Sequence, residues 1–184
     1  HSSKTQPTSN EVLEHVRKAL QDESIILVYQ PTVALKADTR EYFEVRIRVP
    51  TADQLIYPDI FLEAANQLGI GERIDRYVIK HSLAVLSTQQ NERLRLMINL
   101  TANSLMSQTL LLWITQELQR QNQSPRQLII QVSELDFLSA PEQAAQFCRR
   151  MRELGFEISL THFGCSLDPL RILGQLQMDY VKLD

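Results

Sequence analysis

Little in this chain is extreme, and each scarcity closes off a class. Two cysteines, Cys148 and Cys165, without CxxC spacing leave no disulfide framework and no zinc-ligand pattern. Five glycines and seven prolines in 184 residues exclude collagen-like and low-complexity chains. No basic excess exists: 19 Lys and Arg stand against 22 Asp and Glu, a net charge of −3, so no overall field is present to hold polymeric nucleic acid. Apolar runs such as Ile25 to Tyr29 and Leu110 to Ile114 fall far short of the roughly 20 residues of a membrane span, and the polar start carries no signal-peptide core. What remains is a 43% hydrophobic chain of one-domain size, expected to be cytoplasmic, without direct membrane insertion, with residues 1–10 a tag remnant and linker.

The periodicities give an alternating chain. Glu11 to Gln21 puts Val12, Leu13, Val16 and Leu20 on one helical stripe behind candidate caps Ser9 and Asn10. Ile25 to Tyr29 is a short strand stopped by Pro31. Tyr42 to Val49 alternates Phe43, Val45, Ile47 and Val49 with Glu44, Arg46 and Arg48, a half-buried strand beside the first. Pro58 to Gln90 is helical and broken at Gly69 or Gly71. Strands follow over Leu94 to Leu100, Leu128 to Ser133, Phe156 to Leu160 and Tyr180 to Leu183. Helices lie between them over Asn103 to Gln121, Pro141 to Leu154 and Asp168 to Leu176, the second of these ended by Gly155. Six strands alternating with helices predict parallel β/α units, whose binding residues gather at the strands' carboxyl ends. There the sequence places Gln30, Asn99, Gln131, Glu134, Thr161, His162 and Lys182, with Glu44 and Arg48 along the second strand.

Taken singly, each has an ordinary reading. Glu44 is also a salt-bridged residue of a barrel mouth, Arg48 a surface arginine, Asn99 a cap, and Lys182 a strand-end lysine. His162 lacks an accompanying nucleophile and positioned third group. His15 and His81 fall on helices. Trp113, Leu110 and Leu111 read as core. Cys165 follows Gly164 in a turn with no activating neighbour in sequence.

In order, however, these residues resemble the EAL domain, a family that binds and often hydrolyses the bacterial second messenger cyclic di-GMP. The resemblance rests on Tyr29-Gln30-Pro31 at the family's YQP and Glu44-Val45-Arg46-Ile47-Arg48 at its EALLR. It continues with Asn99-Leu100-Thr101 at NLS, Gln131-Val132-Ser133-Glu134 at ExTE, Thr161-His162-Phe163-Gly164 at DDFG, and Val181-Lys182-Leu183-Asp184 at VKID. It implies a TIM-like (β/α) barrel. Since the full barrel has eight strands and about 250 residues, residues 11–184 are expected to be a C-terminally truncated EAL-like domain with six of the eight strands, its open edges needing cover.

Active members hold two divalent metals with carboxylates and an asparagine. Here Glu44 and Asn99 match, but Gln131 stands for the metal glutamate and Thr161 and His162 for the paired aspartates. Three negative charges are gone, and an amide, a hydroxyl and an imidazole suit hard cations poorly. The resemblance therefore implies no enzyme activity and no working magnesium or manganese site. The expected ligand contacts are Gln30, Pro31, Glu44, Val45, Arg46, Arg48, Asn99 and Lys182, with Arg48 gripping a phosphate. The EVxxR strand, QVSE and FGCS together look like the degenerate EAL domains of FimX-type receptors. That likeness implies a role in type IV pilus assembly and twitching motility, a PilZ-domain adaptor and the pilus assembly ATPase as partners, placement at the cell pole, and a degenerate GGDEF domain upstream. Two rivals are an EAL-like interaction scaffold that binds no nucleotide and an active phosphodiesterase with unusual ligands.

Overall fold

The computed structural model describes residues 8–183; the tag-like start, His1-Ser2-Ser3, lies outside them. Helix α1, Ser9–Gln21, begins earlier than its stripe suggested. Its cap is Thr8 rather than Ser9 or Asn10: the Thr8 hydroxyl accepts from the Glu11 amide while the Glu11 carboxylate takes the Thr8 N–H, a reciprocal capping box. Residues 9 and 10 thus belong to the helix and not to a linker. Val12, Leu13, Val16 and Ala19 form its buried stripe, with Leu20 only partly covered.

Strand β1, Ile26–Thr32, runs through Pro31 instead of stopping before it. It pairs antiparallel with β2, Glu41–Pro50, and occupies the sheet edge, where a missing N–H is tolerated. A two-residue strand β3, Leu55–Ile56, folds back on β2; so short an element leaves no periodicity to read. The helical stretch is divided as expected, into α2, Pro58–Gln67, and α3, Gly71–Thr88, with Gly69 at φ +69° in the turn.

Strand β4, Leu94–Asn99, is followed not by one long helix but by α4, Ala102–Leu105, and α5, Leu110–Arg120. Ser107 separates them, its hydroxyl accepting from the Thr109 and Leu110 amides. Strand β5, Leu128–Ser133, leads directly into a short α6, Glu134–Ser139, which the sequence reading passed over, and then α7, Pro141–Glu153. Gly155, at φ +102°, closes α7: its N–H reaches the Arg152 carbonyl, and that of Phe156 reaches Met151. Strand β6, Glu157–Thr161, helix α8, Pro169–Gln175, and strand β7, Tyr180–Val181, complete the described chain. Among the described residues seven strands stand where six were expected, the extra one being β3.

The sheet runs β1-β2-β4-β5-β6-β7, parallel from β2 onward. Strand order follows chain order without reversal, so the crossovers share one hand and their helices one face. That is barrel winding rather than the doubly wound arrangement, in which the order reverses. Alternate residues face the helices and form the main core: Val45, Leu96, Ile98, Leu128, Ile130, Val132, Ile158 and Leu160 pack with Phe61, Ile74, Leu83, Ile114 and Phe147. The opposite face is layered. Tyr42, Met97 and Ile129, with Tyr180 against them, form a separate apolar cluster. Two residues further along the same strands come Glu44, Asn99, Gln131 and Lys182, about 6.5 to 7 Å nearer the carboxyl ends.

Candidate functional site

Those carboxyl ends open into a cleft of about 900 Å³ lined from β2 by Glu44, Val45, Arg46, Ile47 and Arg48. Asn99, Gln131, Thr161, His162 and Lys182 line it from the other strands, and Tyr57, Asp59, Glu63 and Asp136 from α2, α6 and the turn before α2. The antiparallel register sets Gln30 directly across from Glu44. Gln30 and Pro31 are both exposed and do not line the cleft.

Glu44 is the hub. It is 5% exposed, and its carboxylate is surrounded by donors. Oε1 accepts from Asn99 Nδ2 at 2.8 Å and, more distantly, Gln131 Nε2 at 3.4 Å. Oε2 takes Lys182 Nζ at 2.7 Å and Arg46 Nη2 at 3.1 Å. Burial alone would raise the Glu44 pKa. The hydrogen bonds from Lys182 and Asn99 and the charges of Lys182 and Arg46 outweigh it and hold the carboxyl below its ordinary value. Gln131, fully buried, also donates to Asn99 Oδ1 at 3.0 Å. Its own carbonyl oxygen has no hydrogen-bond partner. Among the described residues, no group of three or more His, Cys, Asp or Glu is arranged to hold a metal ion.

Arg48 is oriented by two contacts. Its guanidinium lies 4.2 Å from the centre of the Tyr57 ring, and Nη1 donates to the Ile47 carbonyl at 2.7 Å. Tyr57 escaped the sequence reading because it sits in the turn after β3, with Pro58 as the only local signal.

Two buried carboxylates shape the walls. Glu134, fully buried at the start of α6, accepts the backbone N–H groups of Gly164 at 2.6 Å, Cys165 at 3.2 Å and Ser166 at 2.9 Å. It thereby fixes the turn that carries His162. Burial pushes its pKa up, but the donors of that turn win and leave it lowered. His162 itself adopts φ +54°, a left-handed conformation that Asp, Asn and His enter more readily than most residues.

Asp75 reaches from α3 to the segment after Asn99. One oxygen accepts from the Thr101 amide at 2.8 Å, the Thr101 hydroxyl at 2.7 Å and the Ser104 hydroxyl at 2.5 Å. Burial raises its pKa to about 7 despite those donors. A carboxyl raised on folding contributes stability that is complete below its unfolded value, 3.8, and is lost as pH rises through about 7. Asp75→Asn is therefore expected to unfold at a urea midpoint that gains on the parent protein between pH 5 and pH 8. A pH-independent difference would contradict this.

The family's EAL domain model matches residues 13–184, and the chain belongs to the EAL domain family. The crystal structure of the FimX EAL domain from Pseudomonas aeruginosa bound to cyclic di-GMP superposes with a TM-score of 0.88 at 33% identity, covering 95% of this chain and 71% of that one. Cyclic di-GMP phosphodiesterase NbdA of Pseudomonas aeruginosa is 31% identical over 176 residues, 93% of this chain and 22% of that protein. Cyclic di-GMP phosphodiesterase PdeF of Escherichia coli is 28% identical over 176 residues, 94% of this chain and 23% of that protein. The chain thus spans under a quarter of the length of these two curated relatives. Its kin include both a structure with bound dinucleotide and proteins named as phosphodiesterases. Among the described residues, no helix is long and apolar enough to cross a membrane.

Proposed function

We propose that the domain is a metal-independent receptor for cyclic di-GMP that has lost phosphodiester hydrolysis. The observation that carries this reading is the Lys182 ammonium at 2.7 Å from Glu44, with Asn99 and Gln131 donating to the same carboxylate. The residues present do not fit paired divalent cations: the one carboxylate of the former metal cluster is saturated by N–H donors, and Gln131, Thr161 and His162 supply no carboxylate to draw a second ion. Two features support ligand binding. Arg48 offers a stacked guanidinium to a phosphate, and the cleft is within the range of ordinary ligand pockets, roughly 300 to 1,000 Å³.

The FimX-type likeness extends the proposal to its output: type IV pilus assembly and twitching motility, relayed in the bacterial cytoplasm at the cell pole through a PilZ-domain adaptor and the pilus assembly ATPase. Calorimetry with cyclic di-GMP in EDTA is expected to give one binding event, unchanged when magnesium or manganese replaces the chelator, with no linear dinucleotide accumulating. Absence of binding would support the nucleotide-free scaffold instead, and metal-dependent turnover would defeat the receptor reading.

A further inference from the structure

Glu44, Arg46 and Arg48 occupy alternate positions of β2 and so share its cleft-facing side, each step about 6.5 to 7 Å. Arg48 is steadied by Tyr57 and the Ile47 carbonyl. Arg46 is held differently. Its side chain is 43% exposed, and it gives Nη2 to a Glu44 oxygen that Lys182 already takes at the shorter distance, 2.7 against 3.1 Å. With Lys182 and Asn99 retained, Glu44 keeps a donor on each oxygen if Arg46 turns away. Arg46 and Lys182 share the Glu44 carboxylate, and Arg48 lies two residues beyond Arg46 on the same side of the strand, so three cations stand along this wall. The other carboxylates facing the cleft, Asp59, Glu63 and Asp136, stand on α2 and α6.

We infer that Arg46 is a second phosphate-binding residue, so that the β2 wall receives a ligand with two phosphodiester groups, one at Arg48 and the other at Arg46. This rests on the receptor reading above and assigns Arg46 a role independent of the Arg48 contact. A guanidinium fork suits the paired oxygens of a phosphodiester, and two such forks at alternate positions of one strand offer one to each phosphate of a cyclic dinucleotide. Position 46 holds leucine in the EALLR pattern that this strand resembles, so the arginine adds a charge and removes an apolar surface at the mouth.

The test is Arg46→Leu, read by calorimetry with cyclic di-GMP across a potassium chloride series. The expected result is an affinity about tenfold weaker, with a shallower dependence on salt because one fewer cation meets the ligand. The melting temperature should be unchanged, since Glu44 keeps Lys182 and Asn99. Arg46→Lys should recover part of the affinity and the steeper salt dependence. Parental affinity in Arg46→Leu, or a loss that leaves the salt dependence unaltered, would overturn the inference. If the parent protein fails to bind, the receptor reading falls and takes this inference with it; if the parent binds and only the Arg46 result fails, the receptor reading stands.

Discussion

Arg48→Ala is expected to weaken cyclic di-GMP binding by about a hundredfold or more. Truncating one partner of a charged hydrogen-bonded pair costs roughly 2 to 5 kcal/mol, much of it from leaving the other charge unmatched. A hundredfold loss, about 2.7 kcal/mol, falls within that range, and the Arg48 guanidinium is already positioned, lying over Tyr57 and tied to the Ile47 carbonyl. Little side-chain entropy remains to be lost on binding. Arg48→Lys keeps a charge but loses both the planar fork and much of the ring stacking, so an intermediate loss of about tenfold is expected. Calorimetry on both variants decides the matter. Parental affinity in Arg48→Ala would remove the phosphate contact on which the receptor reading depends.

Glu134→Ala is expected to lower folding stability by roughly 3 kcal/mol, because it deprives three backbone N–H groups of their shared acceptor at a fully buried position. For a domain of this size that is a fall of about 6 to 12 °C in Tm. Glu134→Gln should also be costly, since an amide NH2 must then face one of those N–H groups. The carboxyl's lowered pKa gives the effect a pH signature. Its contribution is present above the ordinary carboxylate value and is lost as pH falls through the lowered one, so variant and parent should converge in acid. Urea unfolding at neutral and acid pH measures this, and an unchanged midpoint at neutral pH would refute the role assigned to Glu134.

The core strands were legible because each has a strong local signal. Leu128 to Ser133 is a dense apolar run, and Tyr42 to Val49 alternates cleanly, so both appear almost where the sequence puts them. The missed elements have weak or competing signals. β3 is two residues long, α6 is one and a half turns, and the break between α4 and α5 depends on Ser107 accepting backbone N–H groups rather than on glycine or proline. Pro31 misled because an edge position excuses what a central strand forbids.

The site was legible to the extent that its residues lie at strand ends. Glu44, Asn99, Gln131 and Lys182, widely separated in the chain, do meet. Gln30 and Pro31 do not line the cleft. Tyr57 and Asp75 act through contacts made by folding, one across a turn and the other between a helix and a loop, and no spacing rule announces either. Gln131 illustrates the converse. Its identity suggested a lost ligand, and its place in the Asn99 and Glu44 network adds a structural use, while its unpartnered carbonyl marks an unused acceptor in a buried position.

The layer beneath the site has an electrostatic consequence. Tyr42, Met97, Ile129 and Tyr180 put hydrocarbon and aromatic rings directly under Glu44 and Lys182, and Arg40 stacks near Tyr42 and Tyr180 while paired with Asp38 and Glu157. Such a floor polarises poorly, so field lines from the cations above it are turned toward the open end instead of spreading through the protein. The region that attracts an anion is in this way confined to the β2 wall, since Asp59, Glu63 and Asp136 line the cleft from α2 and α6.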